Sequence, residues 1–166
     1  YASRGLGDVY KRQVFGAHVV AVDGNPDKLA AAKKDGAEIL INRHDGDVAE
    51  QIQEKGGGVD NAQVTAVTKD AFTQSVNALK PDGKLVAVAL PQGDMELNIA
   101  KTVLDGISVR GSLVGTRQDL AETFQFGAEG KVHPIVQTRR LDEVNDIIDE
   151  MKANKIVGRM VVDFTK

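Results

Sequence analysis

The most constraining feature of this sequence is a regular alternation of short apolar runs with longer amphipathic stretches. The clearest run, residues 17–22, is almost continuously apolar and ends at Asp23-Gly24-Asn25-Pro26. Such a run is typical of a strand that is buried on both faces, as in a parallel sheet. Strands that alternate with helical segments indicate βαβ units. The sequence therefore predicts an α/β fold built on a doubly wound parallel sheet.

The alternation extends over the first two thirds of the chain and then changes. After residues 17–22, strands are predicted at 38–41, 61–67, 84–90 and 107–114, with helices at 26–35, 47–55, 70–79 and about 98–105. Beyond Gly115 the predicted order is helix 118–129, a strand near 135–138, helix 142–153 and a strand at 159–164. This change of rhythm predicts a boundary near residue 116, so that residues 1–116 and 117–166 form separate units.

Composition excludes several classes of function. The net charge is -3, which gives no electrostatic reason to expect nucleic acid or an anionic membrane as a partner. No apolar run approaches the ~20 residues of a membrane-spanning helix. The sequence contains no cysteine, which fits the cytoplasm and excludes disulfides and any sulfur-based zinc site within the chain. The three histidines are far apart in sequence, so no metal site is expected.

Two charged residues at the end of the first clear strand suggest a nucleotide site. In an open parallel sheet, ligands bind outside the carboxyl ends of the strands. Asp23 ends the strand, and its carboxylate can accept hydrogen bonds from both ribose hydroxyls of an adenosine while repelling a 2′-phosphate. Lys28, on the first turn of the next helix, could reach the same ribose. The alternative is that Asp23 is an ordinary turn residue and Lys28 a solvated charge.

Small or apolar residues end the neighbouring strands. Val67 and Val88-Ala89-Leu90 stand at two such ends, where a flat ring and a ribose could lie against the backbone. These residues also fit ordinary buried strands. Gly5-Leu6-Gly7 would have to end a glycine-rich phosphate loop, but only four residues precede it. A strand needs about five or six residues, so the first strand of the fold is expected to be missing.

From about Val14 onward the chain resembles the zinc-dependent medium-chain alcohol dehydrogenases, especially their ethanol-active branch. The resemblance is carried by VFGAHVVAVDGNPDKLAAAKKDGA (14–37), VTAVTKDAF (64–72), GKLVAVALP (83–91), GISVRGSLVGTRQDLAETFQFGAEGKV (106–132) and VNDIIDEMKANKIVGRMVVDF (144–164). It implies an NAD(P)-binding Rossmann domain over residues 1–116, incomplete at its N-terminus. Residues 117–166 would complete a catalytic domain.

The resemblance also implies roles for individual residues. Asp23 and Lys28 would hold the adenosine ribose, and Arg159 would bind the pyrophosphate. Val88-Ala89-Leu90 would line the nicotinamide ribose, with Ala89 where the family usually has glycine. Ser112-Leu113-Val114 would lie beside the nicotinamide and at a subunit contact.

The function implied by the resemblance is the cofactor-binding portion of an NAD-dependent primary alcohol dehydrogenase. In a full-length protein zinc would polarise the alcohol, and the product would be an aldehyde. Since the family's Cys-His-Cys zinc ligands and its four-cysteine lobe are absent from this chain, no catalytic residue is expected in it. A full-length protein is expected to be a cytoplasmic homo-oligomer. The alternatives are a zinc-free quinone or enoyl reductase, which usually prefers NADPH, and a non-catalytic dinucleotide-binding domain.

Overall fold

The computed structural model describes residues 15–165, which fold into parallel strands connected by helices. The strands are β1 Val20–Asp23, β2 Ile39–Asn42, β3 Val59–Val64, β4 Leu79–Ala87, β5 Ser108–Gly111, β6 Val136–Arg140 and β7 Arg159–Asp163. The helices are α1 Pro26–Lys34, α2 Val48–Gly56, α3 Lys69–Asn77, α4 Ile99–Leu104, α5 Arg117–Ala128 and α6 Val144–Lys152, with a 3-10 turn at Leu141–Glu143. The predicted α/β fold with parallel strands is confirmed.

The strands form three parallel groups. β1 pairs with β2, β3 pairs with β4 and β4 with β5, and β6 pairs with β7. The first two groups follow the order expected of a doubly wound sheet, in which strand order reverses about a central first strand. Within residues 15–165 no strand hydrogen-bonds to both β1 and β3; the predicted lack of a first strand concerns residues before Phe15, outside the described residues, and stays a prediction. The gap between β1 and β3 is called the seam below.

Among the described residues, buried side chains connect the two sides of the seam, and no strand pairing does. One buried cluster joins Ile41, Val48 and Ile52 to Ala78, and Val59 of β3 packs against it. A second cluster packs β3, β4 and α3 together around Leu85, Leu79 and Phe72. A third cluster, around Val19 and Ala32, is contacted by Ile135 and Val157. These two residues belong to the part of the chain after residue 116, called the C-terminal segment below. The C-terminal segment is therefore attached to the β1 side of the sheet.

Capping residues begin the helices where the sequence predicts them. The Asn25 side chain accepts a 2.9 Å hydrogen bond from the Asp27 amide, and Pro26 occupies the first helical position. Asp47 caps α2 by accepting from the Glu50 amide at 2.9 Å. These caps fix the ends of β1 and β2, and hence the orientation of the residues that follow each strand.

Several predicted strand boundaries were wrong. The strand expected at 17–22 lies at Val20–Asp23, because pairing with β2 begins at Val20, opposite Ile39. The strand expected at 61–67 lies at Val59–Val64, and the one expected at 84–90 ends at Ala87. The pairing of β4 with β3 passes from Leu79 to Lys84 with a register shift, so residues 81–83 interrupt the ladder within β4.

Two further boundaries differ near the C-terminus of the chain. The helix predicted at 142–153 starts as the 3-10 turn and becomes α-helical only at Val144. The strand predicted at 107–114 is only Ser108–Gly111, because residues after Gly111 leave the ladder. Within residues 15–165 no helix is long and apolar enough to cross a membrane.

Candidate functional site

Asp23 is the last residue of β1 and is held by the turn that begins α1. Its Oδ1 accepts a 2.8 Å hydrogen bond from the Asn25 amide. This is an Asx-type bond to the residue two positions on, and it fixes the carboxylate at the end of the strand. Among residues 15–165 no other hydrogen bond to this carboxylate is recorded, so its second oxygen can accept from a ligand hydroxyl. The side chain is half-buried.

Lys28 lies on the first turn of α1. Among residues 15–165 it is the one charged residue that is buried. Only 5% of its surface is exposed. A buried ammonium group is costly unless it is hydrogen-bonded, and here Nζ donates to Oδ1 of Asn154. Asn154 lies 126 positions further along the sequence, just after α6. The C-terminal segment therefore supplies a partner for a residue of the predicted ribose site.

Asp23 and Lys28 both line one large cavity. Its volume is about 730 Å³, and it occupies the seam, with β1 on one side and β3 on the other. Thr65, which follows β3, lines it as well. The two predicted ribose-binding side chains thus share a cavity of a size that small-molecule sites have, ~300–1,000 Å³. Its long walls are also strand edges, whose backbone groups can accept or donate hydrogen bonds.

The residues after β3, β4 and β5 meet at one edge of the sheet. The amides of Val88 and Ala89 donate to the Val64 carbonyl at 3.1 and 3.0 Å, and the Ser112 amide donates to the Ala87 carbonyl at 2.9 Å. This is the carboxyl edge, where ligands of doubly wound sheets bind.

The carboxyl edge carries exposed apolar side chains. Val67, Leu90, Leu113 and Val114 all have most of their surface exposed, reaching 91% at Val114. Val114 also has a φ of 41°, which is uncommon for a β-branched residue. An apolar edge of this kind fits contact with a flat ring or with another protein surface. None of these four exposed residues lines the seam cavity.

Arg159 lies apart from the seam cavity. Arg159 begins β7, is exposed, and donates its backbone amide to the Ile135 carbonyl at 2.7 Å. It does not line the seam cavity. Gly5, Leu6 and Gly7 lie outside the described residues, so their predicted role stays a prediction.

Asn154 is the contact that sequence reasoning missed. It has a φ of 57°, in the left-handed region, at the end of a helix. Asparagine is the second most common residue after glycine in that position, so a helix that ends at residue 153 before an Asn is the signal that could have identified it. Among residues 15–165 no group of three or more His, Cys, Asp or Glu side chains could hold a metal ion.

Comparison with protein families gives one match. Residues 11–129 match the family model described as "Zinc-binding dehydrogenase". This is well over half of the chain, and it includes every predicted cofactor-binding residue between Asp23 and Val114.

Comparison with solved structures gives similar folds. An alcohol dehydrogenase from the archaeon Aeropyrum pernix is 27% identical with a TM-score of 0.90, over 97% of this chain and 47% of its own. Benzyl alcohol dehydrogenase from Acinetobacter calcoaceticus is 24% identical with a TM-score of 0.87, over 96% and 47%. Acetophenone reductase from Geotrichum candidum, solved in complex with NAD, is 22% identical with a TM-score of 0.83, over 99% and 47%. The chain thus spans about half the length of each of these proteins.

Proposed function

The chain belongs to the zinc-binding dehydrogenase family, and on that premise we propose that it is the cofactor-binding portion of an NAD-dependent primary alcohol dehydrogenase. In the reaction, an alcohol is oxidised to an aldehyde and hydride passes to the nicotinamide. The whole protein is then a cytoplasmic homo-oligomer, a dimer or tetramer, with a small alcohol or aldehyde as its substrate. Residues 1–116 would form the cofactor domain and residues 117–166 would complete the catalytic domain.

The observation that carries the proposal is that Asp23 and Lys28 line the same seam cavity. One Asp23 oxygen is fixed by the Asn25 amide, and the other is available to a ribose hydroxyl. A carboxylate at this point accepts from the 2′- and 3′-hydroxyls and repels a 2′-phosphate. The Lys28 ammonium adds a donor for the ribose oxygens. The carboxylate of Asp23 is therefore the group that favours NAD over NADP.

The remaining cofactor contacts in the proposal use the carboxyl edge. Val67, Val88-Ala89-Leu90 and Ser112-Leu113-Val114 offer apolar surface and backbone for the nicotinamide and its ribose. Arg159 offers a guanidinium, whose planar fork of N–H donors suits pyrophosphate oxygens. When bound, NAD supplies the hydride acceptor. This chain's own residues bind it, orient it and cover its rings.

Zinc does not fit the described residues. Within residues 15–165 there is no group of three potential ligands, and the sequence has no cysteine. We therefore assign the described residues to cofactor binding and none of them to metal coordination.

The proposal is tested by comparing NAD and NADP binding to the chain and its Asp23→Ser variant by calorimetry. Hydrogen bonds to charged groups contribute ~1.5–3 kcal/mol, so NAD binding should weaken about tenfold or more. The ratio of NAD affinity to NADP affinity should also fall, because the variant no longer repels a 2′-phosphate. Asp27→Ser is the matched control. It removes an exposed carboxylate four residues away and makes the same change in net charge.

Equal binding of NAD and NADP by the unmutated chain would contradict the ribose role of Asp23. It would favour the zinc-free quinone or enoyl reductase instead. An equal loss of NAD affinity in the Asp27→Ser control would show that net charge, rather than a ribose contact, governs binding. NAD binding to this chain, with no oxidation of any alcohol by the protein that contains it, would favour a non-catalytic dinucleotide-binding domain.

A further inference from the structure

The turn after α6 has a backbone conformation that suits glycine but carries an asparagine. Asn154 has a φ of 57°. Its amide donates to the Met151 carbonyl at 3.1 Å, and the Lys155 amide donates to the Glu150 carbonyl at 3.0 Å. This pair of hydrogen bonds is the Schellman motif, whose left-handed residue is usually glycine. Glycine would end the helix at lower cost, so the helix end alone does not account for the side chain.

The Asn154 side chain and backbone both reach the start of α1. Oδ1 accepts from Nζ of Lys28, and the backbone carbonyl accepts a 3.0 Å hydrogen bond from Nδ2 of Asn25. Asn25 in turn donates its backbone amide to Asp23. A single residue of the C-terminal segment therefore contacts two residues that surround the proposed ribose site. The side-chain contact goes to the ammonium group, and the main-chain contact goes to the helix cap.

We propose that Asn154 is a positioning residue for Lys28 and completes the adenosine-ribose end of the cofactor site from the C-terminal segment. This rests on the proposed function. An ammonium group has three N–H donors, so accepting one of them fixes the direction of the side chain without exhausting it. Lysine has several rotatable bonds and high conformational entropy. Holding Nζ before the cofactor arrives removes part of the ordering cost of binding.

Substitution by glycine isolates the side chain. Asn154→Gly keeps the left-handed backbone, the Schellman hydrogen bonds and the carbonyl that accepts from Asn25, and it removes only the side-chain oxygen of Asn154 that accepts from Lys28. Asn154→Asp retains an oxygen at the same position. A purely structural role predicts little effect of glycine, whereas a positioning role predicts loss with glycine and rescue with aspartate.

The contact is tested first without any cofactor, by labelling lysines with acetic anhydride and reading each site by mass spectrometry. Lys33 of the same helix is exposed and serves as the internal standard. Lys28 should be protected relative to Lys33 in the unmutated chain, several-fold more reactive in Asn154→Gly, and protected again in Asn154→Asp. Unchanged Lys28 labelling in the glycine variant would overturn the proposal and leave the proposed function untouched.

The consequence for binding is tested with ADP-ribose as the probe, in a double-mutant cycle with Lys28→Met. Loss of one hydrogen bond corresponds to about a fivefold weaker Kd, so Asn154→Gly should lose about fivefold alone and nothing further in the Lys28→Met background. Equal losses in both backgrounds would mean that Asn154 does not act through Lys28, and would overturn the proposal. Absence of ADP-ribose binding in the unmutated chain would overturn both proposals, even where labelling shows the contact itself.

Discussion

Gly158 offers a direct test of how β7 and Arg159 are held in place. It precedes β7, is buried, and has a φ of 82°. A Cβ added here would lie 2.8 Å from Ile135 Cβ and 2.9 Å from its Cγ2, and closer still to the Ile135 carbonyl oxygen. That carbonyl accepts the 2.7 Å hydrogen bond from the Arg159 amide. Gly158→Ala must therefore displace backbone, because no flexible side chain can move aside.

The expected cost of Gly158→Ala has two parts. A non-glycine residue in the left-handed region costs ~1–2 kcal/mol. The clash adds ~1–3 kcal/mol, as for other overpacked interiors, and includes weakening of the Arg159 hydrogen bond. The total is ~2–5 kcal/mol, a large fraction of the ~5–15 kcal/mol of an ordinary domain. Gly57→Ala is the control, since Gly57 has a φ of 66° and an added Cβ would contact nothing within 4 Å. Gly57→Ala should lose only the ~1–2 kcal/mol that a non-glycine residue costs in the left-handed region.

The assay is urea unfolding followed by far-UV circular dichroism, with sucrose added equally to all samples to keep a destabilised variant folded. Gly158→Ala should have the lower free energy of unfolding, by ~1–3 kcal/mol relative to Gly57→Ala. Amide exchange at Arg159 should also accelerate in Gly158→Ala alone. Equal losses of stability in the two variants would refute the clash and show that β6 and β7 yield freely at this contact.

Three further outcomes are expected. The Thr116 amide and hydroxyl donate to Asp119 at 2.6 and 2.7 Å and lower the pKa of its carboxyl. Since this pKa is depressed on folding, the stabilisation of α5 should be present above the ordinary pKa near 3.8 and be lost as pH falls through the folded value. In Asp119→Asn, the helical circular-dichroism signal should not show this loss at low pH. The chain alone should neither hold zinc stoichiometrically nor oxidise ethanol, and one tightly held zinc per chain in metal analysis would contradict this. Because the edges of β1 and β3 face the seam unpaired among residues 15–165, the chain should aggregate with rising concentration and bind NAD more weakly than an intact homologue; a cooperative, high-temperature transition of a monomer, raised further by micromolar NAD, would contradict this.

The sequence predicted elements with strong local signals better than it predicted their ends. α1 was predicted within a residue because Asn25-Pro26 starts it and Gly36 follows it. The start of β1, the strand before it, was predicted too early, because apolarity alone does not distinguish Ala17, which is exposed, from Val20, which pairs with Ile39. Where a strand joins its neighbour depends on the partner strand's register, and that is not encoded in a single run of residues.

In the candidate site, residues that are close in sequence could be predicted together, whereas a contact between distant residues could not. Asp23 and Lys28 are close in sequence and follow a recognisable strand-turn-helix pattern, so they could be predicted together. Asn154 could not be placed beside them, since it lies 126 positions beyond Lys28. It is brought there by the packing of Ile135 and Val157 against the cluster around Val19 and Ala32. Arg159 was assigned by resemblance alone, and its role in pyrophosphate binding stays a prediction.

The seam has a consequence for how the fold opens. A continuous sheet transmits strain through its hydrogen-bond ladder and tends to unfold as one unit. Within residues 15–165 the β1-β2 strands and the β3-β4-β5 strands are joined through the cluster of Ile52, Ala78 and Val59, and side-chain contacts separate at lower cost than a hydrogen-bond ladder. Amide exchange should therefore resolve two cooperative units, with the amides of β1 exchanging at a lower opening free energy than those at the centre of β4. A ligand that contacts both walls of the cavity would make the two groups of strands exchange as one unit. The difference in opening free energy between β1 and β4 would then report whether the cavity is occupied.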